Sequence, residues 1–232
     1  MKRFVFTLVF LFSICCVQAQ WTLRSYVDYE YTRTEGSGGA LAVFGDYQLN
    51  EYFTAGLGLK GKIGYPLAIN LYWQADLLQA NCGTLYLENR YLYRLFPNLN
   101  LQEFNGLLDF GWKNRHFNFQ LGLFNRYIAE IPLRKDGGMG TVFEPMNVTF
   151  CIEGNVFDQS HPWNVGGRIS NFDDFIIERV TVFIYCITGY YELTDNLRLT
   201  GEVCFHPCSN LNLSAQRNGI ETHIGISWTP KK

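Results

Sequence analysis

Residues 218–228 alternate without a break. Ile220, Thr222, Ile224, Ile226 and Trp228 fall on one side, and Glu221, His223, Gly225, Ser227 and Thr229 on the other. Successive side chains of a strand point to opposite faces, so this is a strand with one greasy and one polar side. Residues 20–32 repeat the pattern. Trp21, Leu23, Ser25, Val27, Tyr29 and Tyr31 oppose Thr22, Arg24, Tyr26, Asp28, Glu30 and Thr32. Arg24, Asp28 and Glu30 on one face are too many charges for the dry core of a soluble protein, because an unpaired buried charge is costly. They suit a face that meets water while the opposite face meets something apolar.

The same alternation recurs along the chain. Strands are expected at Gln20–Thr32, Ala40–Gln48, Phe53–Lys62, Ala68–Leu78, Leu85–Leu95, Glu103–Lys113, His116–Tyr127, Met146–Phe157, Trp163–Asn171, Glu178–Leu193, Leu197–His206 and Asn218–Trp228. The tenth is apolar on both faces, and its orientation is open from pattern alone. Each stretch is near the ~9–11 residues that a tilted strand needs to cross a bilayer. The connections after even-numbered strands are short, whereas the odd set includes the long Ile128 to Pro145 segment and Pro207 to Arg217. Gly56 and Gly58 lie in a strand with no helix following, so they suggest close strand packing and not a phosphate loop.

Residues 1–19 read Met-Lys-Arg, an apolar run and Val-Gln-Ala. This has the form of a cleaved secretory signal peptide, with cleavage expected after Ala19 and residues 20–232 as one domain. Cys15 and Cys16 raise the alternative of a lipidated cysteine, but Ile14 is not the small residue expected before one. Beyond the leader lie Cys82, Cys151, Cys186, Cys204 and Cys208, an odd set that leaves at least one thiol unpaired. No disulfide scaffold is expected, with a Cys204–Cys208 bridge the one pairing considered. Cys204, His206 and Cys208 have donor types that suit zinc, yet no second ligand cluster follows, so neither metal nor cofactor is expected. A net charge of −2 offers nothing basic for nucleic acid.

The final strand, with its terminal aromatic Trp228, resembles the C-terminal strand of bacterial outer-membrane β-barrel proteins. The resemblance extends over the alternating strands of the whole mature chain, with one departure: Thr-Pro-Lys-Lys follows the aromatic. It implies an all-β fold, a transmembrane antiparallel up-and-down barrel of about twelve strands, with ten or fourteen as alternatives. It also implies outer-membrane lipids as surroundings, recognition of the last strand by the insertion machinery, and a periplasmic C-terminus. Aromatic girdles fit: Trp21, Trp112, Trp163 and Trp228 fall at the end where the termini lie. A soluble sandwich or lipocalin-like barrel would leave broad apolar faces in water or turn charges inward.

The inferred lumen carries both signs: Arg24, Asp28, Glu30, Asp46, Lys60, Lys62, Asp76, Glu88, Arg90, Arg94, Asp109, Lys113, Arg126, Glu153, Arg168, Arg198, Glu202, Glu221 and His223. Such balance predicts ion pairs across the lumen. The leading expectation is a small pore for passive passage of ions or small polar solutes. The alternative is a non-conducting structural or surface-binding barrel that uses its outer loops. A barrel hydrolase or acyltransferase is a third class, with Glu202 orienting His223 near His206 and Ser209; no nucleophile marks it, and no catalytic residue is assigned. The glycine-rich Ile128 to Pro145 loop is the expected gate or outer contact.

Overall fold

A computed structural model describes residues 20–32, 36–62, 65–96, 101–130, 141–158, 161–178, 182–207 and 219–230. They form twelve strands: β1 (Gln20–Thr32), β2 (Gly36–Asn50), β3 (Phe53–Lys62), β4 (Tyr65–Ala80), β5 (Gly83–Phe96), β6 (Leu101–Lys113), β7 (Phe117–Glu130), β8 (Val142–Asn155), β9 (Trp163–Ser170), β10 (Ile184–Thr194), β11 (Leu197–His206) and β12 (Gly219–Trp228). Each pairs with its sequence neighbours, and β1 pairs antiparallel with β12 from Leu23↔Trp228 to Thr32↔Gly219. The sheet therefore closes with no free edge. The expected fold class holds at the strand number read from the alternation.

The two faces divide as the sequence predicts. Val27, Leu121 and Ile224 stand outward and exposed, whereas Asp28, Gln120 and Glu221 beside them are buried inside. This continuous apolar outer wall is what hydrocarbon requires and water penalises. Trp21, Trp163 and Trp228 are exposed at the end that carries the termini, and Trp112 is partly buried there. Trp21 packs on Tyr47 at 4.4 Å. At the opposite rim, Tyr93, Phe104 and Tyr127 form a ring ladder with centroids 4.8 and 6.3 Å apart.

Gly56 and Gly58 on β3 lie beneath inward-facing rings. A Cβ at Gly56 would overlap Tyr72, and one at Gly58 would overlap Phe44. These glycines let two aromatic side chains lie flat along the inner wall instead of filling the lumen.

Several strands run past their expected ends. β2 begins at Gly36 and β4 at Tyr65, and β8 starts at Val142 through Met146, whose φ of 53° marks an irregularity opposite Asn125. Three expectations need correction. β9 ends at Ser170 and not at Asn171. β10 begins at Ile184 and not at Glu178, because Asn171 to Glu178 leave the wall altogether. Cys204 is bonded to Cys186 on the adjacent strand, not to Cys208, which lies outside the described residues. The bridge forms because β10 and β11 place these cysteines directly opposite each other. Most of the expected gate loop, residues 131–140, also lies outside the described residues.

The lipid-facing assignment makes a direct prediction. Ile224→Arg, near the middle of β12, is expected to cost about 2–4 kcal/mol of stability in bilayers. Unfolding by denaturant from lipid vesicles checks this, and an unchanged midpoint would contradict an outward, lipid-facing Ile224.

Candidate functional site

The stretch Asn171-Phe-Asp-Asp-Phe-Ile-Ile-Glu178 has no alternation to hold it in a wall. It folds into the lumen as a miniature hairpin. Phe172 and Ile177 bridge antiparallel, Asp173 N–H donates to Ile176 O at 2.8 Å, and Glu178 N–H donates to Asn171 O at 2.6 Å. Asp173 Oδ1 accepts the amides of Phe175 and Ile176, both at 2.7 Å, closing the turn in the way short aspartate turns do. The hairpin satisfies much of its own backbone, a condition for placing irregular chain inside a barrel.

The wall supplies the rest. Arg90 donates to the Asp173 carbonyl at 3.0 Å, Asn70 to the Asp174 carbonyl at 2.6 Å, and Arg126 to the Ile177 carbonyl. Phe172 and Ile177 pack with Leu92, Leu107, Phe124 and Cys151, while Phe175 packs with Ala42 and Phe44. These wall residues are apolar yet face inward, on the same strand faces as the charges. They form the seat of the hairpin, and Phe175 and Ile177 are 3% and 0% exposed in it.

Charged groups cluster around that seat. On one side Lys60 reaches Asp28 at 2.6 Å and Glu221 at 2.8 Å. Glu221 also faces His206 and His223, each at 3.2 Å, and His223 stacks on Tyr26 with centroids 5.2 Å apart. Arg168 holds Glu202 at 2.6 Å. On the other side Arg90 holds Glu88 at 2.6 Å, and Thr149 donates to Asp109 at 2.5 Å. Nearer the outer rim, Arg126 meets Glu103 at 3.2 Å and Glu144 at 3.4 Å, with Arg94 3.8 Å from Glu103. Toward the termini, Arg24 pairs with Asp46 at 2.8 Å, Lys113 with Asp76 at 3.2 Å and Arg198 with Glu192 at 2.7 Å. Burial by itself would raise the Asp174 carboxyl, but the guanidiniums of Arg24, Arg90 and Arg168 outweigh it and hold the group below its ordinary value.

Most of the charges read from the sequence thus stand on inner faces, but most pair with the same or nearby strands instead of reaching across an open lumen. The hairpin occupies the space that cross-lumen pairs would have spanned. Glu30 and Lys62 lie in β1 and β3, with their side chains outside the described residues. Glu153 lines a cavity inside the barrel. Glu202 and His223 are opposite each other across β11 and β12, with His223 Nδ1 3.8 Å from Glu202. Both histidines turn to carboxylates, and Ser209 lies outside the described residues. Sequence reasoning passed over Glu103 and Asn105, which are buried inside, and the whole hairpin. Inner-face position marked the first two; nothing local marked the hairpin's destination.

Between the hairpin and the end that carries the termini lies a cavity of 380 Å³. Arg24, Glu153, Asn155 and Arg198 line its sides, and Asp174, Glu202 and His223 line the part that reaches the hairpin. It is of small-solute size, carries charged groups of both signs on a half-apolar lining, and touches the hairpin at Asp174.

Arg126 is the joint between wall and hairpin, 1% exposed beside a fully buried Glu103. Arg126→Met is expected to destabilise the barrel by about 3 kcal/mol, because it takes the nearer of two guanidiniums from a buried carboxylate. Adding Glu103→Gln is expected to recover part of that loss. Equilibrium unfolding of the refolded variants checks both, and a single variant as stable as native would contradict the pairing.

No family model matches this sequence, and no characterised protein resembles it closely in sequence. Solved structures do resemble its fold. The KdgM porin, solved in complex with disordered oligogalacturonate, superposes with a TM-score of 0.60 at 7% identity, covering 90% of this chain and 99% of that one. The NanC porin gives 0.55 at 10% identity, with 89% and 98% covered. The Acinetobacter baumannii outer membrane protein Omp33 gives 0.50 at 9% identity, with 90% and 98% covered. The chain has the fold of outer-membrane β-barrel proteins.

Proposed function

We propose that this chain is an outer-membrane pore for ions or small polar solutes, narrowed at mid-height by the Asn171–Glu178 hairpin. The observation that carries the reading is the 380 Å³ cavity inside the barrel, lined by charged side chains of both signs and reaching Asp174 of that hairpin. A barrel of twelve strands is wider than side chains alone fill and narrower than a general porin. Its lumen admits a small solute only where the hairpin leaves room or moves. The likeness in fold to two proteins called porins supports this reading, as does a lumen lined with charges of both signs. Charges fixed on the walls would act on what passes, with Glu153 and Arg24 met first from the cavity side.

Planar-bilayer recording of the refolded protein tests it. The native chain is expected to give small, discrete conductance steps. Loosening the hairpin's grip with Phe172→Ser, Phe175→Ser and Ile177→Ser is expected to raise the step size several-fold, since these side chains hold it to the wall. Glu153→Gln is expected to shift the reversal potential toward anions. A native barrel and a loosened variant that both insert without steps would overturn the pore and favour a closed scaffold that acts through its outer loops.

A further inference from the structure

One cluster inside the barrel is not explained by holding the hairpin through carbonyls and apolar packing. Asp173 of the hairpin turn, His206 of β11 and Glu221 of β12 each present a ligand-type atom, and these atoms all lie within 4.8 Å of one another. The three residues are 7%, 5% and 1% exposed. His206 Nε2 is 3.2 Å from Glu221 Oε2, yet neither atom completes a hydrogen bond among the described residues. Unsatisfied polar atoms this deeply buried call for a partner.

The charges around the cluster point to what that partner is. Lys60 lies between Asp28 and Glu221, contacting Glu221 through Oε1 and leaving Oε2 turned to His206. Among the described residues Lys60 ion-pairs with Asp28 and Glu221, and no lysine or arginine makes an ion pair with Asp173. Carboxylates therefore outnumber the lysine set among them, and a bound cation would be drawn to these oxygens. One imidazole nitrogen and two carboxylate oxygens, with a fourth position left to water, form a donor set that suits zinc and related first-row cations. His223, 3.2 Å from Glu221, also lines the 380 Å³ cavity, so the cluster lies next to open space inside the barrel.

We propose that Asp173, His206 and Glu221 bind a divalent first-row transition cation that ties the hairpin to the barrel wall. The ligands come from three elements, so the ion cross-links the turn of the hairpin to β11 and β12. Binding does not depend on whether the barrel conducts, and it is read without recording current.

The test is equilibrium dialysis of the refolded, EDTA-stripped full chain against zinc, with metal counted by mass spectrometry. The native protein is expected to retain a single zinc per chain. His206→Ala and Asp173→Asn are each expected to weaken retention by about tenfold or more, as loss of metal-site groups does. His116→Ala, at an exposed turn, is expected to change nothing. Should His206→Ala fail to fold, judged by the gel mobility of the unheated barrel, Asp173→Asn decides, because it lies in no wall strand and asparagine keeps the oxygen that accepts the turn amides. A native chain that retains no zinc, or variants that hold as much as native, would overturn the site.

Discussion

The pairing of β1 with β12 is the constraint from which the rest follows. Hydrocarbon offers no partner to a backbone N–H or C=O, so a chain that crosses it with strands must close its sheet. Closure then dictates the side chains. Outward residues form the wall that a bilayer would cover and inward ones meet whatever fills the lumen, which is why Val27, Leu121 and Ile224 alternate with Asp28, Gln120 and Glu221. A one-residue slip of β12 against β1 would put Glu221 and His223 into lipid, so the register is held by the cost of misplaced charge.

Closure at twelve strands also creates a problem inside, because side chains alone do not fill a lumen of that width. Two devices share the task here. Charged residues line the wall in pairs, and an eight-residue piece of the β9–β10 connection folds in among them. The arginines serve both purposes. Arg90 and Arg126 each neutralise a wall carboxylate and donate to a hairpin carbonyl. The hairpin is thus held by the same groups that keep the lumen electrically balanced, and moving it would leave those guanidiniums short of a hydrogen bond.

How much of this was legible beforehand depended on how local each signal is. Two-faced strands are written in the alternation of neighbours, so Gln20–Thr32 and Leu197–His206 were readable to the residue. The disulfide was within reach as well. Cys186 and Cys204 are equidistant from Asp195 in a turn that the sequence marks, and counting outward from it pairs them. The hairpin was not. Asn171 to Glu178 is half apolar with two adjacent aspartates, a composition that serves a two-sided strand as well as a plug. What distinguishes the plug is its seat, built from Leu92, Leu107, Phe124 and Cys151 on four strands far away in sequence. Those inward apolar residues break the polar pattern of their faces, and in hindsight they are the trace that the hairpin leaves on the wall.

The central claim is that this segment sits inside the barrel, held by wall groups. Amide hydrogen exchange of the refolded protein tests it most directly, because the amides of Asp173, Phe175, Ile176 and Glu178 are all hydrogen-bonded within the hairpin. Exchange at these four positions as slow as in the flanking strands is the result this account predicts. Exchange at the rate of an exposed loop would contradict it, leaving the lumen without its central obstruction.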